Sequence, residues 1–491
     1  MVLKLKTKIA YGFTAIADHA LHDLYVTFFL FFMTTAAGIS PAAAGVIVAL
    51  GSVWECIITL FAGRISDKTH SKMGKRKPFI VFLAFPMALT SSLMFAVFNI
   101  PVAARVVYYL IITMLYWTLF PMFYIPFVAW GAELTEDYDE RTSLRSYAFV
   151  GNMLGLCIST IFPTVLLDFL IGKGLNHAHA WHGSVSIVSA FIFISLFFGP
   201  MMIKSESNAL TPEEKAELKR RKKERKSGAE AGGKSGRAAS AFLSLKSLFA
   251  HFASIMKLKA ARYLIFASIL FASANSIFAS DKMYYFTYNM GISGIRITVL
   301  FAIVAAAGVV FVPVVNFSKK YFDKRTQFIA GMSLCAAVMI LFRFIGVDSM
   351  LSACLFMTAF GIGSMCYWQL MPGMIYDVCG LDELKSGEQR QGTIVSLQSI
   401  AESIADGLGV LVLGFILEFA GFDDAASVQS ENALSWVENC FTLVPAFLMI
   451  LAVIMVIKYP ITKKNYGEVL SALEKKRNGE EADLTPFEDI V

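Results

Sequence analysis

Apolar stretches long enough to cross a lipid bilayer recur twelve times along this 491-residue chain, and that repetition leaves few folds open. A hydropathy window of about 19 residues places them near 9–37, 42–63, 78–99, 105–132, 146–171 and 184–203, then near 261–290, 295–316, 327–346, 350–378, 393–420 and 434–458. A helix crosses the hydrocarbon core with about 20 residues, whereas a barrel strand needs about 10 with strict alternation, which these runs lack. An all-α membrane protein with twelve transmembrane helices is therefore expected. Composition agrees: 56% of residues are hydrophobic and 16% charged, against about 25% charged in a soluble domain. That much apolar surface exceeds what one water-facing core hides. The same figures exclude a disordered chain, and 7 cysteines, an odd number set mostly inside apolar runs, exclude a disulfide framework.

The basic residues carry the topology. They cluster at Lys4, Lys6 and Lys8, at Arg64, Lys68, Lys72, Lys75, Arg76 and Lys77, and at Lys319, Lys320, Lys324 and Arg325, all on one side of the expected membrane. The opposite connections, Gly38 to Pro41 and Gly421 to Asn432, hold almost none. The positive-inside rule then puts both termini and the middle loop in the cytoplasm, in a multi-pass protein of the inner (plasma) membrane. The start, MVLKLKTKIAYGF, lacks the pattern of a cleaved signal peptide, so the first run is expected to remain as a helix. The expected organisation is an N-terminal six-helix bundle over 1–203, a basic cytoplasmic linker over 204–258, a C-terminal six-helix bundle over 259–460 and a cytoplasmic tail over 461–491. Within the linker, Thr211 to Lys226 reads as a charged, helix-prone stretch and GAEAGGKSG as a tether. Short basic clusters of this kind suit lipid head groups, and no nucleic-acid partner is expected.

The two halves echo each other. ELTEDYDERTSLRS (Glu133 to Ser146) follows the fourth run and YDVCGLDELKSGEQRQG (Tyr376 to Gly392) follows the tenth. GRISDKTHSKMGKRKP (Gly63 to Pro78) follows the second run and has a shorter echo, NFSKKYFDKR (Asn316 to Arg325), after the eighth. Charge-rich loops at matched places imply two bundles related by a pseudo-twofold axis, with a solute site between them near mid-membrane.

At this point the residues resemble the major facilitator superfamily, and more narrowly its glycoside-pentoside-hexuronide:cation symporters, typified by melibiose permease. The likeness rests on KTKIAYGF, on Trp54-Glu55, on GRISDKTHSKMGKRKPFI, on IPF (Ile125 to Phe127), on EDYDERTSL, on YYFTY (Tyr284 to Tyr288) and on DELKSGEQRQG, in that order along nearly the whole chain. The resemblance implies the major facilitator fold and inward transport of a small solute, usually a sugar or glycoside, with H⁺, Na⁺ or Li⁺, by alternating access. In the family a Trp-Asp pair and an aspartate four residues on line the cation site; here Glu55 and Thr59 hold those places. Positions four apart share a helix face, so one carboxylate and one hydroxyl remain for an ion. Where the type member clamps its sugar with two carboxylates this chain has His19 and Tyr124, and the expected arginine and lysine are Ser52 and Ser403. The acidic clamp is missing, and an amphipathic solute such as a lysolipid is the alternative cargo.

Ionisable residues inside membrane runs are functional candidates because each costs at least about 2.5 kcal/mol to insert at helix centre. Here these are Asp18, His19, His22, Asp23, Glu55, Asp281, Lys282, Arg343, Glu402 and Asp406. Glu55 has no base within a turn on its own helix, and a lone carboxylate suits reversible protonation better than Na⁺ chelation. Glu55, Thr59, Asp18 and His19 are therefore the candidates for cation or proton coupling, with H⁺ or Na⁺ as the ion. Asp18 with His22, and His19 with Asp23, are four apart and offer a proton relay or a polar wall; helix-helix hydrogen bonding is the alternative. Asp281 and Lys282 point different ways, and Lys282 is read as a partner for Glu402 or Asp406. Trp54, Tyr124, Trp368, Gln369, Gln398, Tyr284, Asn275 and Lys282 form the expected solute site, with Trp117 and Tyr285 beside them. Asp67 with Arg76, Asp139 with Arg141 and Asp382 with Arg390 are the expected cytoplasmic latches. No HExxH, GxxxxGK[ST], GxSxG or CxxC pattern occurs, so an enzyme is not expected, nor any cofactor or metal site. A monomer suffices for this architecture.

Overall fold

In lipid a chain has only its own helical hydrogen bonds to satisfy its backbone, and each apolar run folds accordingly. The computed structural model describes residues 3–67, 69, 71, 73–135, 138–203, 252–318, 321–387, 390–423, 426 and 428–477. Six helices make the first half: α1 (Leu5–Thr35), α2 (Pro41–Asp67), α3 (Lys77–Leu93), α4 (Val102–Glu133), α5 (Tyr138–Gly172) and α6 (His177–Met202). The second half holds α7 (Lys259–Tyr284), extended by a π-helical turn at Tyr285–Asn289, then α8 (Ile295–Ser318), α9 (Lys324–Ile345), α10 (Met350–Ser386), α11 (Gln391–Ala420), α12 (Glu431–Phe441) and α13 (Leu443–Ile457). α12 and α13 are one crossing interrupted at Thr442, so the described residues make twelve crossings in two six-helix bundles. Most of the expected linker, 204–251, lies outside the described residues. In the expected tail, α14 (Lys463–Arg477) packs on α10, where Lys476 Nζ donates to the Leu384 carbonyl at 2.6 Å.

Local chemistry ends these helices where the sequence allows. Asp323 accepts from the Thr326 amide at 2.7 Å and starts α9, Ser349 and Ser352 cap each other at the head of α10, and Asn176 accepts from the His179 amide at 2.8 Å to start α6. Gly387 and Gly421, at φ of 73° and 79°, terminate α10 and α11 in the left-handed region. Among the described residues, nine helical stretches are apolar and long enough to span a membrane on composition alone. The other three crossings fall short for separate reasons. α1 carries Asp18, His19, His22 and Asp23 at its middle, α3 has 17 residues, and in α8 the unbroken run of described side chains, Ile295–Val304, is shorter than a crossing.

α1 is buried on nearly all sides, with Phe28, Phe29, Phe31 and Phe32 packed against Phe95, Tyr109 and Trp181. The outer helices instead leave Phe82, Phe344 and Phe419 at least 70% exposed, as lipid-facing surface requires. α1 and α5 approach closely because Gly12, Gly151 and Gly155 leave no side chain between them; a Cβ on Gly151 would strike the Gly12 carbonyl.

The halves meet chiefly along three helix pairs, of which α2 with α11 runs from Gly45 and Gly414 at the end opposite the termini inward to Cys56, whose thiol donates to the Ile400 carbonyl at 3.8 Å. α2 lies on α11 through Gly45 and Gly414, where a Cβ on Gly45 would stand 3.1 Å from the Leu411 Cα. α5 meets α8 through Thr164 and Thr298, whose hydroxyls are 2.8 Å apart. α1 meets α7 through Thr34 and Tyr284, 2.5 Å apart, and through Ser280, which donates to the Val26 carbonyl at 3.1 Å. At the terminus-bearing end, described ion pairs close within one half: Lys8 with Glu140 at 3.0 Å and Arg76 with Glu133 at 3.1 Å in the first, Lys324 with Asp377 at 2.7 Å and Arg390 with Asp382 at 2.6 Å in the second.

Candidate functional site

A cavity lies where α1, α2, α4, α7 and α11 converge, so both halves contribute to its wall. Its charged lining is His22 from α1, Glu55 from α2 and Asp406 from α11. Ser52, Ser276, Ser280 and Ser403 add hydroxyls, Tyr25 and Trp117 add rings, and Val26, Leu30, Val48 and Val410 close the apolar side. The Ser403 hydroxyl faces Glu55 across the boundary between the halves.

Asp23 organises the α1 face. Its carboxylate is 3.2 Å from His19 Nδ1 and 3.8 Å from His22 Nδ1, so one acid holds both histidines. The sequence pairs His19 with Asp23 and His22 with Asp18; the first contact forms, while His22 is drawn to its neighbour Asp23. Asp18 is buried, with Arg145 of α5 in electrostatic range. That arginine, exposed near Tyr124, stands inside the quoted EDYDERTSLRS region but was not singled out by spacing or type.

Two buried donors point to a polar occupant. The Tyr25 hydroxyl and the Trp117 indole N–H have no hydrogen-bond partner of good geometry, although Tyr25 is 5% and Trp117 3% exposed and both line the cavity. Buried donors are nearly always satisfied in a finished fold, so this pair fits a solute oxygen.

The expected solute residues divide. Trp54 sits one position before Glu55 but turns to α4, donating its indole N–H to Thr118 at 2.8 Å. Tyr284 is fully buried in the Thr34 contact, and Gln398 donates to Glu402 at 2.9 Å. Glu402 also takes the Tyr367 hydroxyl, which leaves Asp406, one turn further along α11, as the acid that reaches the cavity. Tyr124 on α4 and Trp368 on α10, 39% and 50% exposed, stand outside its wall, as do Asn275 on α7 and Gln369 on α10, whose buried Oε1 lacks a partner. Thr59 is likewise absent from the lining. Lys282 does not pair with Glu402 or Asp406: its ammonium lies 4.6 Å from the Phe301 ring centroid, with Asp23 in electrostatic range, because α7 turns it toward α1 and α8. Its neighbour Asp281 is fully buried, and neither carboxylate oxygen has a hydrogen-bond partner.

Of the expected latches, Asp382 and Arg390 form a pair that is 3% and 14% exposed, joining the end of α10 to the start of α11. Arg76 reaches Glu133 and Ser66. The side chains of Asp67, Asp139 and Arg141 lie outside the described residues. Sequence reasoning placed His22 in a proton relay or polar wall with Asp18, read Asp406 as a possible partner of Lys282, and noted Ser52 and Ser403 only as departures. All four meet in the cavity. Tyr25, Ser276 and Ser280 carried no signal of their own.

Two six-helix bundles around an interfacial polar cavity define a transporter of the major facilitator superfamily. The fold is shared with a solved proton-dependent oligopeptide transporter, at a TM-score of 0.66 and 13% identity over 96% of this chain and 100% of that one. It is shared also with the inward-open xylose transporter XylE of E. coli, at 0.59 and 14% over 95% and 98%. The chain belongs to the MFS/sugar transport protein family, whose model matches residues 10–229 and 237–463. Within that family it is 25% identical to the isoprimeverose transporter of Lactiplantibacillus pentosus, over 97% of this chain and 92% of the relative. It is 24% identical to a glucuronide carrier protein homolog of Escherichia coli strain K12, over 97% and 96%, and 22% identical to the inner membrane symporter YicJ of the same strain, over 96% and 95%. The chain is thus a multi-pass membrane transporter of the symporter group that the sequence resembles, and not an enzyme.

Proposed function

We propose that this protein is a cation-coupled symporter that carries a sugar or glycoside across the inner membrane by alternating access, with both termini cytoplasmic. The observation that supports it most is the cavity between the halves, where the buried Tyr25 hydroxyl and Trp117 indole N–H, set against each other without a well-formed hydrogen bond, share a wall with the carboxylates of Glu55 and Asp406 and four serine hydroxyls. A sugar presents hydroxyls that both accept and donate, and rings such as Trp117 offer it a flat face. A lysolipid needs a long apolar trough, and this lining favours the sugar. Glu55 is the coupling acid in this reading, with H⁺ or Na⁺ as the ion. The interlocked far end and the ion pairs closed within each half at the terminus end fit a state shut toward the outside. The names of the isoprimeverose and glucuronide relatives support the solute class.

The test is uptake into proteoliposomes of labelled isoprimeverose, methyl glucuronide and methyl xyloside, with lysophosphatidylcholine as comparator, under an imposed pH or Na⁺ gradient. Gradient-driven accumulation of one glycoside, lost in Glu55→Gln, is expected. Transfer of lysolipid alone, or uptake that ignores both gradients, would overturn the reading.

A further inference from the structure

The sequence offers Glu55 with Thr59 on a single helix as the ion site, the arrangement that the family resemblance implies. The structure puts different partners around Glu55. Thr59 is outside the cavity, while Asp406 comes from α11 of the other half and His22 from α1. His22 lies in electrostatic range of both Glu55 and Asp406 and is held by Asp23 at 3.8 Å. Glu55 is therefore not the lone carboxylate that its sequence context suggests.

We propose that the coupling ion is a proton held between the two bundles, by a triad of Glu55, Asp406 and His22 that no single bundle contains. This rests on the symport reading and deepens it by assigning the ion and the residues that hold it.

The groups facing His22 can be named from every packed element. α1 contributes Asp23, with Asp18 and His19 also in electrostatic range, α2 Glu55 and α11 Asp406; α4 contributes the rings of Trp117 and Phe120, and α7 the hydroxyls of Ser276 and Ser280, with Lys282 further off beside Asp23. The triad therefore joins two acids to one imidazole that already has a carboxylate anchor. When neutral, the imidazole offers a nitrogen where a hard cation such as Na⁺ prefers oxygen, and when protonated it repels that cation. Proton exchange among two carboxylates and an imidazole needs neither ligand replacement nor a site of fixed geometry.

The placement also couples loading to closure. With both acids ionised, two negative charges on opposite halves repel across a low-dielectric gap as the halves approach, and only His22⁺ stands against them. A proton on either carboxylate removes that repulsion, and the halves can then change places around the solute. A pair on one helix has no such leverage, because both its members move together.

The proton itself is the probe, which keeps this test independent of the solute. Infrared difference spectra of the purified full-length protein are recorded on a pH step, in NaCl and in choline chloride, for wild type, Glu55→Gln, Asp406→Asn, Asp406→Glu and His22→Gln. A protonated-carboxyl band is expected in wild type, unchanged by Na⁺, absent or halved in Glu55→Gln and in Asp406→Asn, shifted to a different pH midpoint in His22→Gln, and restored by Asp406→Glu. Midpoints that Asp406→Asn and His22→Gln leave untouched would overturn the proposal, as would a band that Na⁺ suppresses. Restoration in Asp406→Glu separates loss of the proton site from misfolding. Should every glycoside fail in uptake while this titration behaves as stated, the solute reading fails and the proton site stands.

Discussion

The two ends of the interface between the bundles are built from opposite materials. At the end away from the termini the halves interlock through glycines and hydroxyls: Gly45 and Gly414 let α2 and α11 touch, and Thr164 meets Thr298. At the terminus-bearing end, charged residues predominate, and the described pairs of Arg390 with Asp382 and Lys324 with Asp377 lie within one half. Small residues give a contact that forms or breaks as a packed surface; charges give pairs that can exchange partners when the halves swing. A transporter with one gate shut needs the first kind at the shut end and the second kind at the other.

The largest expected effect comes from the charged end. Asp382 is 3% exposed, so Asp382→Asn removes the carboxylate that accepts two charged hydrogen bonds from Arg390 and should destabilise the protein by about 1.5–3 kcal/mol. A melting temperature of the detergent-solubilised variant that matches wild type would count against the pair, and the double variant with Arg390→Gln should regain part of the loss. At the interlocked end, Gly414→Leu drives a side chain into the Pro41 carbonyl and should cost the closed arrangement about 1–3 kcal/mol, roughly a 5- to 150-fold shift toward outside-open. Double electron-electron distances between spin labels on α5 and α8 at that end should lengthen; unchanged distances would show that this contact does not hold the gate. Thr164→Val removes one hydroxyl contact at the same end and should shift the same distances by an amount worth about 1 kcal/mol. Least of all is expected from Lys324→Gln: Lys324 is 42% exposed, and its pair with Asp377 should be worth about 1 kcal/mol or less, with a melting point within a few degrees of wild type. A large fall there would mean that the charged end is as rigid as the glycine end and would erase the contrast.

How far the sequence reaches is clearest residue by residue. The twelve runs are found within a few residues at most ends, since hydropathy and length report a property of each segment by itself. Where tertiary contacts extend a helix, the run stops early: α5 begins at Tyr138 and α10 continues to Ser386, eight residues beyond their apolar runs at 146 and 378. The π-helical turn at Tyr285–Asn289 and the break at Thr442 are invisible to hydropathy, because both occur where Tyr285 stacks on Phe441 at 4.2 Å, a contact between segments 156 residues apart (441 − 285). In the cavity, Glu55 and Trp117 carry a signal, being unusual residues in apolar runs. Trp54 carries the same signal and turns elsewhere, to Thr118. Glu402 and Asp406 look alike in sequence and differ only in that Tyr367 and Gln398 engage the first.

The sequence by itself therefore determined the number of crossings, the division into halves and the membrane-embedded charges, because each follows from the mismatch between one segment and lipid. Only the tertiary structure decided which of those charges share a cavity. Whether an acid meets a hydroxyl, an imidazole or nothing depends on how α1, α2 and α11 are rotated against one another, and that rotation is set by packing across the two halves rather than by any one helix.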